Sequence, residues 1–369
     1  MGDSLGDHLK KERMKANNYR SKQLFRFFIF FLLCSLLLSI TFAVTLGPVK
    51  ISPVTVWKIT LSHIPFLGEY IDADWSKTQE RIIWDIRLAR VLLGAVVGAG
   101  LSVVGVVIQA LVRNSLADPY ILGISSGSSV AATLVILFGA FSFFGQYALS
   151  LGAFLGAALS MILVYMLAQA GGRIQTTRLL LAGVAVSFIM SAVTNFIVTM
   201  APKESGIREA MFWMMGSLAG AKWEYLTIPA VVIMLGSGYL FLYSRSLNAL
   251  LMGEETAATL GINIDSFRKI LVIITSLITG TVVAVSGSIG FIGLVVPHLA
   301  RLLVGSDHKR VLPVSILIGM ILVIWSDVFA RLVLAPQELP IGVVTAICGG
   351  PFFIWLLRRS SYSFGGNNK

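Results

Sequence analysis

Few side chains in this 369-residue chain could do chemistry, and most of them lie at the edges of long apolar runs. Asp327 and Arg331 stand four apart in Trp-Ser-Asp-Val-Phe-Ala-Arg. An acid four residues before a base pairs on one helix face, and unpaired charge within a membrane segment is expensive. The two read either as a satisfied ion pair at the outer interface or as a site where Arg331 meets an external partner. Proton coupling through Asp327 would call for further acids inside spans, and it is the only one. The four histidines, His8, His63, His298 and His308, are scattered. Pro297 before His298 breaks the backbone ladder and predicts a kink or half-helix; His298 reads as a hydrogen-bonded structural residue rather than a haem ligand. Cys34 and Cys348 both lie in apolar segments, with no disulfide or metal spacing. The sequence has no nucleophile–base motif and no G-x-x-x-x-G-K-[ST] loop to cradle phosphates. Any ATP chemistry must come from another chain.

The elements that hold these residues are membrane helices. Hydrophobic residues make up 56% of the chain, charged residues 13%, and the mean hydropathy is +0.84. A soluble domain carries about 25% charge. The net charge of +11 sits in loops between apolar runs, which fits positive-inside topology rather than nucleic-acid binding. Charge-free runs place helices at 27–46, 91–112, about 120–138, 147–168, 179–200, 225–244, two within 270–300 separated at Ser286-Gly287-Ser288, about 312–333, and 339–357. Ten spans put both termini on one side. With the N-terminus inside, inner segments hold 19 of the 29 Lys and Arg and outer segments hold 10, so both termini are cytoplasmic. The expected organisation is a basic tail at 1–26, a transmembrane domain at 27–357 and a tail at 358–369. The first run lacks a small-residue cleavage site and reads as a retained helix.

Two segments do not span. Residues 47–90 form an outer loop. Residues 245–269 lie inside and carry an apolar face (Leu247, Leu250, Leu251, Ala257, Ala258, Leu260) beside Glu254 and Glu255. Gly261 in mid-segment suggests a short helix, a turn and another short piece. A soluble partner covering that face accounts for it; a helix lying on lipid is the other reading, opposed by acids beside an anionic leaflet. Gly94/Gly98 and Gly152/Gly156 have helix-packing spacing. For Gln109, Asn195 and the run Ser125–Ser129, pathway lining and interhelix hydrogen bonding are both open.

Between Gly98 and Gly127, an uncharged small-residue helix ends in Arg-Asn-Ser-Leu-Ala-Asp-Pro and another uncharged segment follows at once. Polar backbone at a membrane face calls for a protein-lined or watery path. This stretch resembles the signature of FecCD-type permeases, the membrane subunits of ABC importers for ferric siderophores, haem and cobalamin. Further matching motifs follow in order from about residue 25 to 359, among them Ile86–Arg90, Leu179–Val184, Trp213–Leu218, GFIGLVVPHLAR at 290–301 and ELPIGVVTAICGGPFFIWLL at 338–357. Ala89, Ser115 and Ser288 stand where family members usually have Pro.

The resemblance implies an all-α, type II importer permease of about ten helices in the bacterial inner membrane. It implies a dimer with a second copy or close homologue, two cytoplasmic ATPase subunits that use ATP and Mg, and an external binding protein. No cofactor is expected on this chain itself. Arg87, Arg90 and Arg331 match positions that meet acids on the binding protein. Asn114, Leu116, Thr176 and Thr177 match the cytoplasmic gate. Leu247, Asn248, Ala249, Leu250, Gly253, Glu254, Glu255, Ala257, Leu260 and Gly261 match the ATPase-coupling segment. Ferric siderophore is the expected cargo, with haem and cobalamin as alternatives. An ion-coupled secondary transporter is the contrasting class, and it would need several intramembrane acids and inverted repeats.

Overall fold

The computed structural model describes residues 2–47, 49–170 and 173–359. The expected C-terminal tail lies outside the described residues from position 360 onward. In chain order the helices are α1 (Gly2–Thr45), α2 (Pro53–Ser62), α3 (Lys77–Arg81), α4 (Ala89–Val112), α5 (Ile124–Phe138), α6 (Ala148–Ala168), α7 (Thr176–Thr199), α8 (Glu204–Met214), α9 (Thr227–Leu242), α10 (Ser244–Leu251), α11 (Glu254–Thr259), α12 (Ile264–Ser286), α13 (Ile292–Val304), α14 (His308–Leu332) and α15 (Ile341–Arg359). A two-residue ladder pairs Gln169–Ala170 with Arg173–Ile174. Seven helical stretches are long and apolar enough to cross a membrane, and α5, α13 and α15 are shorter apolar helices. Together they account for the ten expected spans.

Helix α4 is the axis of the bundle and is buried on nearly all sides. Close approach is what its glycines supply: a side chain at Gly98 would collide with the Gly319 carbonyl of α14, and one at Gly105 with the Gly293 carbonyl of α13. The Gly156 position meets the Gly127 carbonyl of α5 in the same way. Small residues at this spacing therefore pack helices within one chain.

The short α13 runs 13 residues, about 20 Å at 1.5 Å per residue, well under the roughly 30 Å hydrocarbon core. Its missing turns are the unwound residues 287–291, whose backbone needs partners inside the protein. Tyr120 supplies two of them. Its hydroxyl donates to the Ile289 carbonyl (3.1 Å) and accepts from the Ile289 N–H (3.0 Å). The Ser217 N–H donates to the Ser286 carbonyl at 2.8 Å. Pro297 lies inside the continuous α13, and the break that leaves α13 a half-helix falls at 287–291 rather than at the proline.

Two boundaries differ from the sequence reading. Residues 47–90 are not simply an outer loop: α2 lies within them, and a continuous helical stretch runs from Lys77 to Val112, α3 leading through residues 82–88 into α4. A capping box starts it, Ser76 accepting from the Gln79 N–H while the Gln79 side chain accepts from the Ser76 N–H. Charge at Glu80, Arg81, Asp85, Arg87 and Arg90 hid the helix from a search for charge-free runs. At the other end, α1 extends back through the basic tail to Gly2.

Candidate functional site

The three arginines expected outside converge at the outer ends of α1, α4 and α14. They are not free surface cations: Arg87 and Arg90 are 4% and 6% exposed. The last carbonyls of α1 have no intrahelical donor, and cations are favoured at a helix C-terminus. Arg87 fills that role, donating to the Val44 and Thr45 carbonyls at 3.0 Å each and to Val49 at 2.7 Å. Arg331 donates to the Ala43 carbonyl at 3.2 Å. Arg90 uses its whole guanidinium fork. Its Nε donates to both Asp327 oxygens (3.0 and 3.1 Å), and its two Nη atoms reach the Glu338 carboxylate at 2.9 Å each. The Arg331 Nε lies 3.1 Å from Asp327. Asp327 is buried, whereas the Glu338 side chain is 33% exposed. Three guanidinium groups face two carboxylates, so one positive charge remains over, and Glu338 is the member of the network open to solvent.

The cytoplasmic end holds the other two groups. Helices α10 and α11 form a short helix, a turn and a second short helix, but the turn between them is at Gly253 (φ 118°, ψ 157°), whereas Gly261, where the sequence placed it, follows α11. Leu247, Ala249, Leu250 and Ala257 are buried in the chain's own core, while Leu251, Met252 and Leu260 stay exposed at 40%, 72% and 65%. Asn248 clamps the hairpin to the start of α14. Its Nδ2 donates to Asp307 at 2.8 Å, and its Oδ1 accepts the His308 N–H at 2.9 Å. The Asp307 carboxyl is the N-cap of α14. Burial pushes its pKa up, but hydrogen bonds from Asn248 and the Lys309 N–H, with Arg310 nearby, leave it below the ordinary carboxylate value. Glu254, at the start of α11, accepts from Arg268 at 2.7 Å and from Arg113 at 3.3 Å. Arg113 ends α4 in the left-handed conformation (φ 53°), and Asn114 follows it. Glu255 and Gly261 are exposed.

The gate residues sit at the cytoplasmic ends of α4 and α7. Asn114 and Leu116 are half-buried, and the Asn114 side chain accepts the Leu116 N–H at 2.9 Å. Thr176, half-buried, and Thr177, exposed, open α7. Among the described residues no hydrogen bond joins the first pair to the second.

Residues 35–359 match the FecCD transport family. The chain belongs to this family. The relatives include the cobalamin import system permease BtuC of Halobacterium salinarum, 42% identical over 76% of this chain and 74% of the relative. The Fe(3+)-citrate import system permease YfmD of Bacillus subtilis is 41% identical over 77% and 84%. The hemin transport system permease HmuU of Yersinia pestis is 37% identical over 90% and 96%. A solved structure described as an inward-facing metal-chelate type ABC transporter shares 31% identity and a TM-score of 0.77, covering 90% of this chain and 99% of that one. As a FecCD member the chain is a multi-pass import permease of the inner membrane, helical apart from one two-residue ladder, and a transport subunit rather than an enzyme.

Several residues of these clusters escaped the sequence reading. Glu338 was visible only as part of a motif, because nothing local pairs it with Arg90 248 residues away. The Arg113–Glu254–Arg268 triad and Tyr120 were missed for the same reason. Gln109, left open between two roles, is 2% exposed and binds across to α13, donating to the Gly293 and Leu294 carbonyls (3.4 and 3.3 Å) and accepting from Arg301. It is interhelix glue. Asn195 faces outward.

Proposed function

We propose that this chain forms half of the translocation path of a type II ABC importer whose cargo is a ferric siderophore. It pairs with a second copy or close homologue. Two cytoplasmic ATPase subunits bind and hydrolyse ATP with Mg, and an external binding protein delivers the cargo. The observation that carries this reading is the α10–α11 hairpin. Its apolar residues divide between the chain's core and an uncovered cytoplasmic surface, and its acid Glu254 is tied to the end of the central helix. A soluble partner gripping Leu251, Met252 and Leu260 would pull on α4 through Glu254 and Arg113, next to Asn114 and Leu116. At the opposite end, the surplus positive charge of Arg87, Arg90 and Arg331 suits acids on a binding protein. The chain itself needs no cofactor for this work. The kinship to an Fe(3+)-citrate permease and to a metal-chelate type transporter favours a ferric chelate; the equal kinship to a cobalamin permease makes cobalamin the rival cargo.

The test is uptake into proteoliposomes holding the permease with its ATPase, with the loaded binding protein added outside. ATP-dependent uptake of a ferric siderophore, in preference to cyanocobalamin and haem, is expected. Preferential cyanocobalamin uptake would replace the cargo and keep the permease; uptake driven by an ion gradient without ATP would overturn the mechanism.

A further inference from the structure

Two adjoining cavities form one groove on the outer surface of the bundle, lined by none of the docking, gate or coupling residues. The inner one, about 390 Å³, lies between α6 and α12 and is lined by Phe154, Ile162, Tyr165, Lys269, Ile273 and Gly280 among others. The outer one, about 440 Å³, shares Phe154 and Leu277 with it and continues between α6, α9 and α12 to Tyr147, Glu224 and Tyr225. The lining is apolar along nearly its full length, with the charged side chains at the two mouths and Ser276 and Thr281 between them. Gly280 makes the dent: a Cβ there would come within 3.4 Å of Ala157 and Phe154.

Length and charge together say what fits. From Lys269 to Gly280 is eleven helical residues, about 16 Å. Half of the roughly 30 Å hydrocarbon core is about 15 Å. The inner cavity is therefore as long as one leaflet, with an ammonium where headgroup phosphates lie and an apolar trough below it. Lys269 has no ion-pair partner among the described residues, although its helix neighbour Arg268 is held by Glu254. The outer mouth carries both signs, Glu224 lining it and Lys222 lying over the Tyr225 ring. Selection for an anion thus belongs to the cytoplasmic end, where the leaflet is itself anionic.

We propose that the α6–α12 groove binds one inner-leaflet phospholipid with an anionic headgroup, its phosphate on Lys269 and an acyl chain along the trough to Gly280. The site stands apart from the transport reading, since it uses none of the docking, gate or coupling residues.

The experiment is native mass spectrometry of the whole permease released from nanodiscs holding equal phosphatidylglycerol and phosphatidylcholine with the same acyl chains. The wild-type chain should retain one lipid, with phosphatidylglycerol in excess. Lys269→Gln should cut that excess about five-fold, the effect of one basic residue near a lipid surface. Ala158→Trp, which fills the trough, should lose the retained lipid. An unchanged lipid ratio in Lys269→Gln would overturn the proposal, as would full retention in Ala158→Trp. So would Ile273→Cys forming a disulfide with a second copy while no lipid is held, because the groove would then be a protein interface. The lysine variant changes only a residue at the groove's mouth, so the test survives if the tryptophan variant does not fold.

Discussion

Arg90 illustrates how a single buried charge can be held and still be available. Removing one member of a buried ion pair typically costs about 3–5 kcal/mol, since the partner is left uncompensated. Arg90→Leu leaves Glu338 without its partner and Asp327 with Arg331 alone, so thermal unfolding in detergent should show a large loss of stability, and weak transport by that variant would say nothing about docking. Glu338 gives the cleaner probe. It is the exposed acid on Arg90, so an incoming carboxylate would compete with it. Glu338→Gln should leave folding nearly intact and tighten binding-protein association, with the gain shrinking at high salt; unchanged affinity in surface plasmon resonance would remove the arginine cluster from docking. At the cytoplasmic end, Asp307 sets a pH dependence. Its pKa is lowered in the fold, so its ionised form stabilises. That contribution is complete above the unfolded value, near 3.9, and is lost as pH falls through the lower folded value. Hydrogen exchange of α10 amides should therefore stay flat from pH 7 to about 5 after correction for intrinsic rates, and protection should fall only below about 4. Asp307→Asn should abolish that fall.

At the scale of elements, the α10–α11 hairpin depends on a backbone turn that only glycine adopts easily. A residue with a side chain at φ 118°, ψ 157° costs on the order of 1–3 kcal/mol. A Cβ at this position would meet nothing closer than the Thr256 hydroxyl at 4.0 Å, so backbone strain is what any side chain there introduces, Gly253→Trp included. ATP hydrolysis in the reconstituted complex should persist while transport per ATP falls several-fold, because the hairpin no longer transmits load to Glu254. Normal coupling in Gly253→Trp and Gly261→Trp would exclude the segment. The hairpin was legible in the sequence because apolar residues in a cytoplasmic stretch have no lipid to meet. The ten spans were legible for a related reason: hydrocarbon forces every backbone group into a helix, so composition alone marks them. What was not legible is everything set by packing between distant segments. Lys77–Arg90 looked like a loop because the partners of its two buried arginines, the α1 carbonyls for Arg87 and Asp327 and Glu338 for Arg90, are none of them nearby in sequence. The unwound 287–291 segment was marked by its glycine and serines, yet its partner Tyr120 could not be found without the fold.

The whole molecule carries its own argument for a second chain. Helix α7 exposes Ser191, Asn195 and Thr199, spaced four apart along one outward face. Amide and hydroxyl groups gain nothing from lipid, and polar side chains within spans face protein or a watery cavity. The same helix begins at Thr176 and Thr177. If α7 meets its copy along that face, the residues at its cytoplasmic end close the path between two chains, joined by Asn114 and Leu116 from the end of α4. Cysteine cross-linking decides the matter once Cys34 and Cys348, both exposed, have been changed to Ser. Leu116→Cys or Thr177→Cys should then give a disulfide-linked permease dimer whose yield differs several-fold between the nucleotide-free complex and one trapped with ATP. A yield independent of nucleotide would make these residues fixed parts of the interface. No cross-link in a complex that still transports would place them off the axis altogether, and the path would have to close elsewhere along α7.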